Sequence, residues 1–373
     1  MSNLNTTLIR QINERPGKAT IAATGGGASF IGDYLAIGGG SATILEFHVP
    51  YDQRSFDRYI SGKPTSYTGD DAARKLAVAS YERAVSLSNK TDAIGIGAAC
   101  SIATDNERDG RLHRISVACH SAKHTETLHV VLRQGATREQ EEAYVSQVIL
   151  AMLAYAKGID TSLPTRLSTT ESYDGSITKA QAAWERLVNG NLHHLAYGEE
   201  LPKHSIVLFP GSFNPMHEGH QEMYDHAKAV FRVNPVLEVT VKNADKPPID
   251  WKAIKDRVDS LGSKNLLLTK APKFLDKLKL LRGELGYVQV IFVVGADTWA
   301  RIFDPRFVVD GEIEYFIKTN TRFLVFSRNE LTPESVPYEY RGHAKSLLVL
   351  DDFAKEFRES SSSTEIRKAA EKM

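Results

Sequence analysis

Short apolar runs and helical repeats alternate along the first half of the chain. Runs at Ala19 to Ala23, Ala42 to Val49, Ala93 to Gly97, Arg114 to His120 and Glu126 to Arg133 have strand length, and a Gly-rich turn separates the first two. From Asp70 to Leu87 and from Arg138 to Ala156 the apolar residues recur at helical spacing, as Val145, Val148, Ile149 and Met152 show in the second. This order predicts an α/β domain with a mixed sheet over residues 1–158.

Residues 159–203 turn polar and are broken by Pro164, Gly175, Gly190 and Pro202, which reads as a linker carrying one short helix near Lys179 to Leu187. Regular alternation returns over 204–373. Strands are expected at Ser205 to Phe209, Val236 to Val241, Leu266 to Leu268, Val288 to Val294 and Phe323 to Phe326, with helices from Glu218 to Phe231, Trp251 to Leu261 and Phe274 to Leu281. Strand and helix in strict turn predict a Rossmann-like, doubly wound parallel sheet, whose ligands sit outside the carboxyl ends of the strands. The fold class is therefore α/β, in two α/β domains.

Bulk properties narrow the partners. A chain of 373 residues exceeds one ordinary core. The 46 basic and 46 acidic side chains cancel, so the excess that drives counterion-release binding is missing and no nucleic-acid partner is expected. A small anion needs only local donors. Cys100 and Cys119 are too few for a disulfide framework and are expected to be reduced. The run from Val288 to Ala296 is far short of a membrane span, and the N-terminus has no apolar signal core; the protein is read as cytoplasmic, without a membrane partner.

The densest chemistry follows the strand at 205–209. It is Gly211-Ser212-Phe213-Asn214-Pro215-Met216-His217-Glu218-Gly219-His220, running into a helix. A glycine lets the backbone approach a phosphate, and a helix start offers N–H groups and a favourable dipole. The plain alternative is a tight turn with capping histidines. Metal binding by His217 and His220 would lack a soft ligand, since no cysteine follows Cys119, and no protein side chain is assigned to a metal.

The stretch fits G-x-F-x-P-x-H-x-G-H at each fixed position and so resembles the nucleotidylyltransferase superfamily, which includes nicotinamide and nicotinate mononucleotide adenylyltransferases. The resemblance implies that His217 and His220 are catalytic and stabilise the triphosphate. It also implies that Gly211, Ser212, Phe213 and Gly219 line the ATP site, with Asn214 beside the second substrate. Ser361-Ser362-Ser363-Thr364-Glu365-Ile366-Arg367 is, taken alone, a capping box at the last helix. It is also similar to the S-S-T-x-I-R element of these transferases, which implies that Ser362, Ser363, Thr364 and Arg367 hold the β- and γ-phosphates. Gly295-Ala296-Asp297-Thr298-Trp299 resembles the family's G-x-D segment, which implies that Gly295 and Asp297 face the substrates. Trp299 is a candidate for stacking on a pyridine ring, against the alternative of a core position. Arg328 and Lys246 are candidate phosphate contacts.

Residues from about Thr20 to Ala156 resemble a diverged C-terminal domain of the CinA family, whose active members deamidate nicotinamide mononucleotide. Ile21-Ala22-Ala23-Thr24-Gly25-Gly26-Gly27-Ala28 corresponds to the family's T-A-E-S-C-T-G-G, with Thr24 at the nucleophile; Gly38-Gly39-Gly40-Ser41 resembles P-G-S-S, and Val49-Pro50-Tyr51 resembles V-x-Y. The lysine that should follow Tyr51 by five positions is Phe56, which cannot accept a proton. By this resemblance Thr24 and Tyr51 mark a vestigial amidase site, against the alternative that Thr24 is a strand-end residue of a Gly-rich loop, and the domain is a candidate for homo-oligomer formation.

These resemblances lead to the expectation of an enzyme that joins ATP, with Mg2+, to nicotinamide or nicotinate mononucleotide, giving the dinucleotide and pyrophosphate. Other phosphate acceptors, or CTP as donor, fit the same motifs. A non-catalytic nucleotide sensor or scaffold is the alternative from another class.

Overall fold

The computed structural model describes residues 4–88, 92–105, 110–133, 135–160, 170–199, 201–241, 249–262, 264–306, 308, 310–328 and 330–357. The chain divides into two units, Met1–Glu185 with Asp245–Lys255, and Arg186–Ala244 with Asp256–Met373.

In the first unit α1 (Thr6–Glu14) leads into β1 (Lys18–Thr24), followed by α2 (Ser29–Leu35), β2 (Ile44–His48), α3 (Gln53–Tyr59) and α4 (Asp70–Leu87). Then come β3 (Ala93–Ser101), β4 (His113–Ser121), β5 (His124–Leu132), α5 (Arg138–Ala156) and β6 (Thr170–Lys179). The sheet runs β2-β1-β3-β4-β5-β6; β1 pairs in parallel with β2 and β3, and the rest pair antiparallel. All nine residues of β3 are buried, as in a central strand covered on both faces. One face holds Ile9, Ile12, Phe30, Val145, Ile149 and Leu153, and the other holds Ala73, Leu76 and Ala77 of α4. A Cβ on Gly95 would lie 2.0 Å from the Ala77 carbonyl oxygen and one on Gly97 2.2 Å from that of Ala73, so α4 rests directly on the β3 backbone. Cys100 and Cys119 are buried and unbridged, and burial raises both thiols, Cys100 to about 12.

In the second unit, entered through α6 (Ala182–Asn189), the order is β7 (His194–Tyr197), β8 (Ser205–Pro210), α7 (Glu218–Phe231), β9 (Val236–Thr240), α8 (Trp251–Ser260, whose residues to Lys255 count with the first unit) and β10 (Leu266–Thr269). There follow α9 (Phe274–Gly283), β11 (Gln289–Gly295), α10 (Ala296–Ile302), α11 (Glu312–Lys318), β12 (Arg322–Phe326), α12 (Arg341–Leu347) and α13 (Asp352–Glu356). The sheet is β12-β11-β8-β9-β10-β7, parallel except for β7. Ile206, Leu208, Phe292, Val294, Trp299 and Phe323 form its core. The chain winds outward from β8 through β9 to β10, then returns to place β11 on the other side of β8. The winding direction therefore switches between β8 and β11, the position at which open α/β sheets bind ligands.

Two strands lie where a linker was expected. β6 and β7 are edge strands, one in each sheet. An edge strand needs no continuous apolar run: in β6 Asp174, Ile177 and Lys179 are exposed while Thr178 is buried. That polar sequence conceals it from a search for hydrophobic periodicity. Among the described residues, no helix is long and apolar enough to cross a membrane.

Candidate active site

At the carboxyl end of β8 the chain folds over one aromatic ring. Phe213 takes a left-handed backbone conformation (φ 41°) that turns its side chain under the loop, where it is 1% exposed. Its ring meets Phe209 edge-on at 5.3 Å and His220 at 5.2 Å. A Cβ at position 211 would stand 2.5 Å from the Phe213 Cζ, so the glycine makes room for this ring. The Gly211 N–H donates to the Glu238 carbonyl at 2.9 Å. Phe213, expected at the ATP site, offers no exposed ring surface, and the Gly211 N–H is already committed; both residues shape the loop from beneath.

The exposed residues of the loop are Ser212 and Pro215, with Asn214 half-buried. Arg257 of α8 fixes the loop by donating its Nε–H to the Ser212 carbonyl at 2.9 Å. His217 is the N-cap of α7, Gly219 is buried in the first turn, and His220 stands one turn on. The rings of His217 and His220 lie 3.7 Å apart at an interplanar angle of 34°. The His217 N–H donates to His220 Nδ1 at 3.4 Å. With Nδ1 accepting, a neutral His220 carries its proton on Nε2. Burial, then the positive charges of His217 and Arg328, lowers the His220 pKa to about 4, so it is a neutral N–H donor near neutral pH.

Across the switch point, Asp297 in the first turn of α10 is half-exposed and faces the Arg328 guanidinium at 3.7 Å. Arg328 is also among the charges that lower the His220 pKa, so residues that follow β8, β11 and β12 lie near one another. A Cβ on Gly295 would sit 2.6 Å from Asp297 Oδ1, so the glycine admits that carboxylate. Trp299 does not join them. Its ring is wholly buried against Phe303 and Phe323 and its indole N–H donates to the Pro333 carbonyl at 2.9 Å, so it cannot stack on a ligand. Lys246, Ser362, Ser363, Thr364 and Arg367 lie outside the described residues.

The sequence reading missed a buried polar network at the carboxyl ends of β9 and β10. Lys277 of α9 reaches Glu238 at 2.9 Å, the Thr240 hydroxyl at 2.6 Å and the Ala271 carbonyl at 2.6 Å. Thr269 donates to Glu238 at 2.6 Å. The signal was present as one carboxylate inside an otherwise apolar strand, which is rare without a buried partner. This network fixes the strand whose carbonyl holds Gly211.

In the first unit, Thr24 and Tyr51 line one cavity of about 460 Å³. Phe56 is buried against Tyr67 instead, and no lysine is among the described residues of the cavity wall.

Residues 208–369 match the family described as Cytidylyltransferase-like, and this part of the chain is a nucleotidyltransferase domain. No curated protein matches the chain. Among solved structures, the chain is similar to a competence-damaged protein (CinA) superfamily protein from Escherichia coli at 15% identity and TM-score 0.32, over 42% of this chain and 91% of that one. It is similar to Plasmodium falciparum nicotinic acid mononucleotide adenylyltransferase complexed with APC at 16% identity and TM-score 0.30, over 44% and 82%. The competence damage-inducible protein A from Klebsiella pneumoniae gives 16% identity and TM-score 0.34, over 41% and 96%.

Proposed function

We propose that the second unit transfers the AMP moiety of ATP to nicotinamide or nicotinate mononucleotide. A phosphate oxygen of the mononucleotide attacks the α-phosphorus, the bond to the β-phosphate breaks, and pyrophosphate leaves with the electron pair. The attacking oxygen is already anionic at neutral pH, so the enzyme needs no strong base; it must align two anions and absorb charge in the transition state. The reading rests above all on the paired imidazoles of His217 and His220 at the start of α7, beside the switch of the sheet. His220, neutral near pH 7, donates through Nε2. Magnesium bound to the triphosphate would neutralise part of its charge. Gly219 and Ser212 border the phosphates, Asp297 accepts from sugar hydroxyls, and Asn214 and Arg328 face the mononucleotide. Ser362, Ser363, Thr364 and Arg367 hold the leaving pyrophosphate.

The test pairs ATP or CTP, each with magnesium, with a panel of phosphomonoesters and measures pyrophosphate. Release with ATP and the pyridine mononucleotides alone is the expected outcome. Release only with CTP, or only with another phosphomonoester, would replace the donor or acceptor named here. Nucleotide binding with no release from any pair would leave a sensor instead of an enzyme.

A further inference from the structure

The cavity of about 460 Å³ in the first unit has walls that include Thr24, Val49, Tyr51, Arg138, Glu139 and Glu142. It lies at the carboxyl ends of the parallel strands β1 and β2, where open α/β sheets place ligands, and its volume suits a small molecule. A glycine loop leading into a helix ordinarily turns its N–H groups toward an anion. Here a carboxylate of the chain itself has taken that place. The Gly27 N–H donates to Glu142 Oε2 at 2.8 Å and the Ser29 N–H to Oε1 at 3.0 Å. The start of α5 is closed as well, because Thr137 and Gln140 cap each other's backbone N–H groups. Arg138 directs Nη1 to the Ala103 carbonyl at 2.8 Å.

Two carboxylates against one guanidinium leave the described wall net negative. Thr24 is only 8% exposed, and among the described residues its hydroxyl has no hydrogen-bond partner, so an acceptor stands ready for a ligand N–H. Tyr51, 67% exposed, supplies an aromatic face. We propose that this cavity binds a small aromatic cation bearing N–H donors, with the cation between the carboxylates and the Tyr51 ring and one N–H on the Thr24 hydroxyl. A phosphate is disfavoured here, because the Gly27 and Ser29 N–H groups are already committed to Glu142 and the wall is net negative. The site is separate from the nucleotidyl-transfer reading and stands or falls without it.

Titration calorimetry of the full chain with benzamidine, benzamide and benzoate compares a positive, a neutral and a negative ligand of nearly one shape. Benzamidine should bind at least about ten-fold more tightly than benzamide, the effect of one charge a few ångströms from a partly hydrated carboxylate. Benzoate and inorganic phosphate should show no binding. Glu139→Gln and Tyr51→Ala alter exposed side chains that the fold does not need, and each should weaken benzamidine at least about three-fold. Thr24→Val, which keeps the shape and removes the acceptor, should do the same. The proposal is overturned if benzoate or phosphate binds as well as benzamidine, if none of the probes binds, or if all three variants bind benzamidine as the parent does.

Discussion

Replacing Gly211 with alanine tests whether the catalytic loop is held from beneath. The added Cβ would stand 2.5 Å from the Phe213 Cζ and 2.8 Å from both Cε atoms. Carbon atoms in contact prefer about 3.5–4.0 Å, so ring and loop must part by about 1 Å. The ring is buried among Phe209 and His220, and overpacking of this kind costs about 1–3 kcal/mol. For a unit of this size that lowers Tm by roughly 2–12 °C.

The displacement also has a direction. His220 lies edge-on to the same ring at 5.2 Å, and a misplacement of about 1 Å at a reacting centre costs on the order of 100-fold. The Gly211→Ala protein is therefore expected to stay folded at 25 °C and to lose about 100-fold in kcat/KM for pyrophosphate release. Phe213→Leu, placed in the same chain, shortens the obstructing side chain and should restore part of both the Tm and the rate. The reasoning fails if Gly211→Ala turns over within about three-fold of the parent, or if the Phe213→Leu change restores Tm without restoring rate.

His217→Ala should lower turnover at least about 100-fold with a much smaller effect on ATP binding, measured by steady-state kinetics beside calorimetry. NMR titration should find His220 with a pKa of about 4, and His217→Ala should raise it by removing a neighbouring positive charge. The unfolded chain takes up this proton first, near 6.5, so stability attributable to His220 is complete above that pH and is lost as pH falls toward 4, which acid unfolding will report. Trp299→Phe strands the Pro333 carbonyl and leaves a void, costing about 2–4 kcal/mol in denaturant unfolding, with KM for the acceptor within about two-fold of the parent. Lys277→Met leaves the Glu238 carboxylate buried without its cation and should cost about 3–5 kcal/mol, whereas adding Glu238→Gln should recover most of that loss.

The parts of this protein that could be read from sequence are those in which one local pattern has one structural answer. The strands at 93–101 and 289–295 are apolar because both faces are covered, and the histidine loop carries its meaning within ten consecutive residues. Trp299 is the contrary case. Whether a tryptophan after a strand faces the crevice or the core depends on which side of the sheet α10 takes, and that is settled by Phe303, Phe323 and the Pro333 carbonyl, all remote or out of register in the sequence. Gly211 is subtler: sequence suggests space for a phosphate, and the structure adds a second need for glycine, room for the Phe213 ring. Arg257 and Lys277 were invisible for a related cause: they act on the loop or its supporting strand through long-range contacts, which leave no periodic trace. A motif scan therefore finds the groups that would touch substrate and passes over those that hold them still, although loss of either would disable a site that works by alignment.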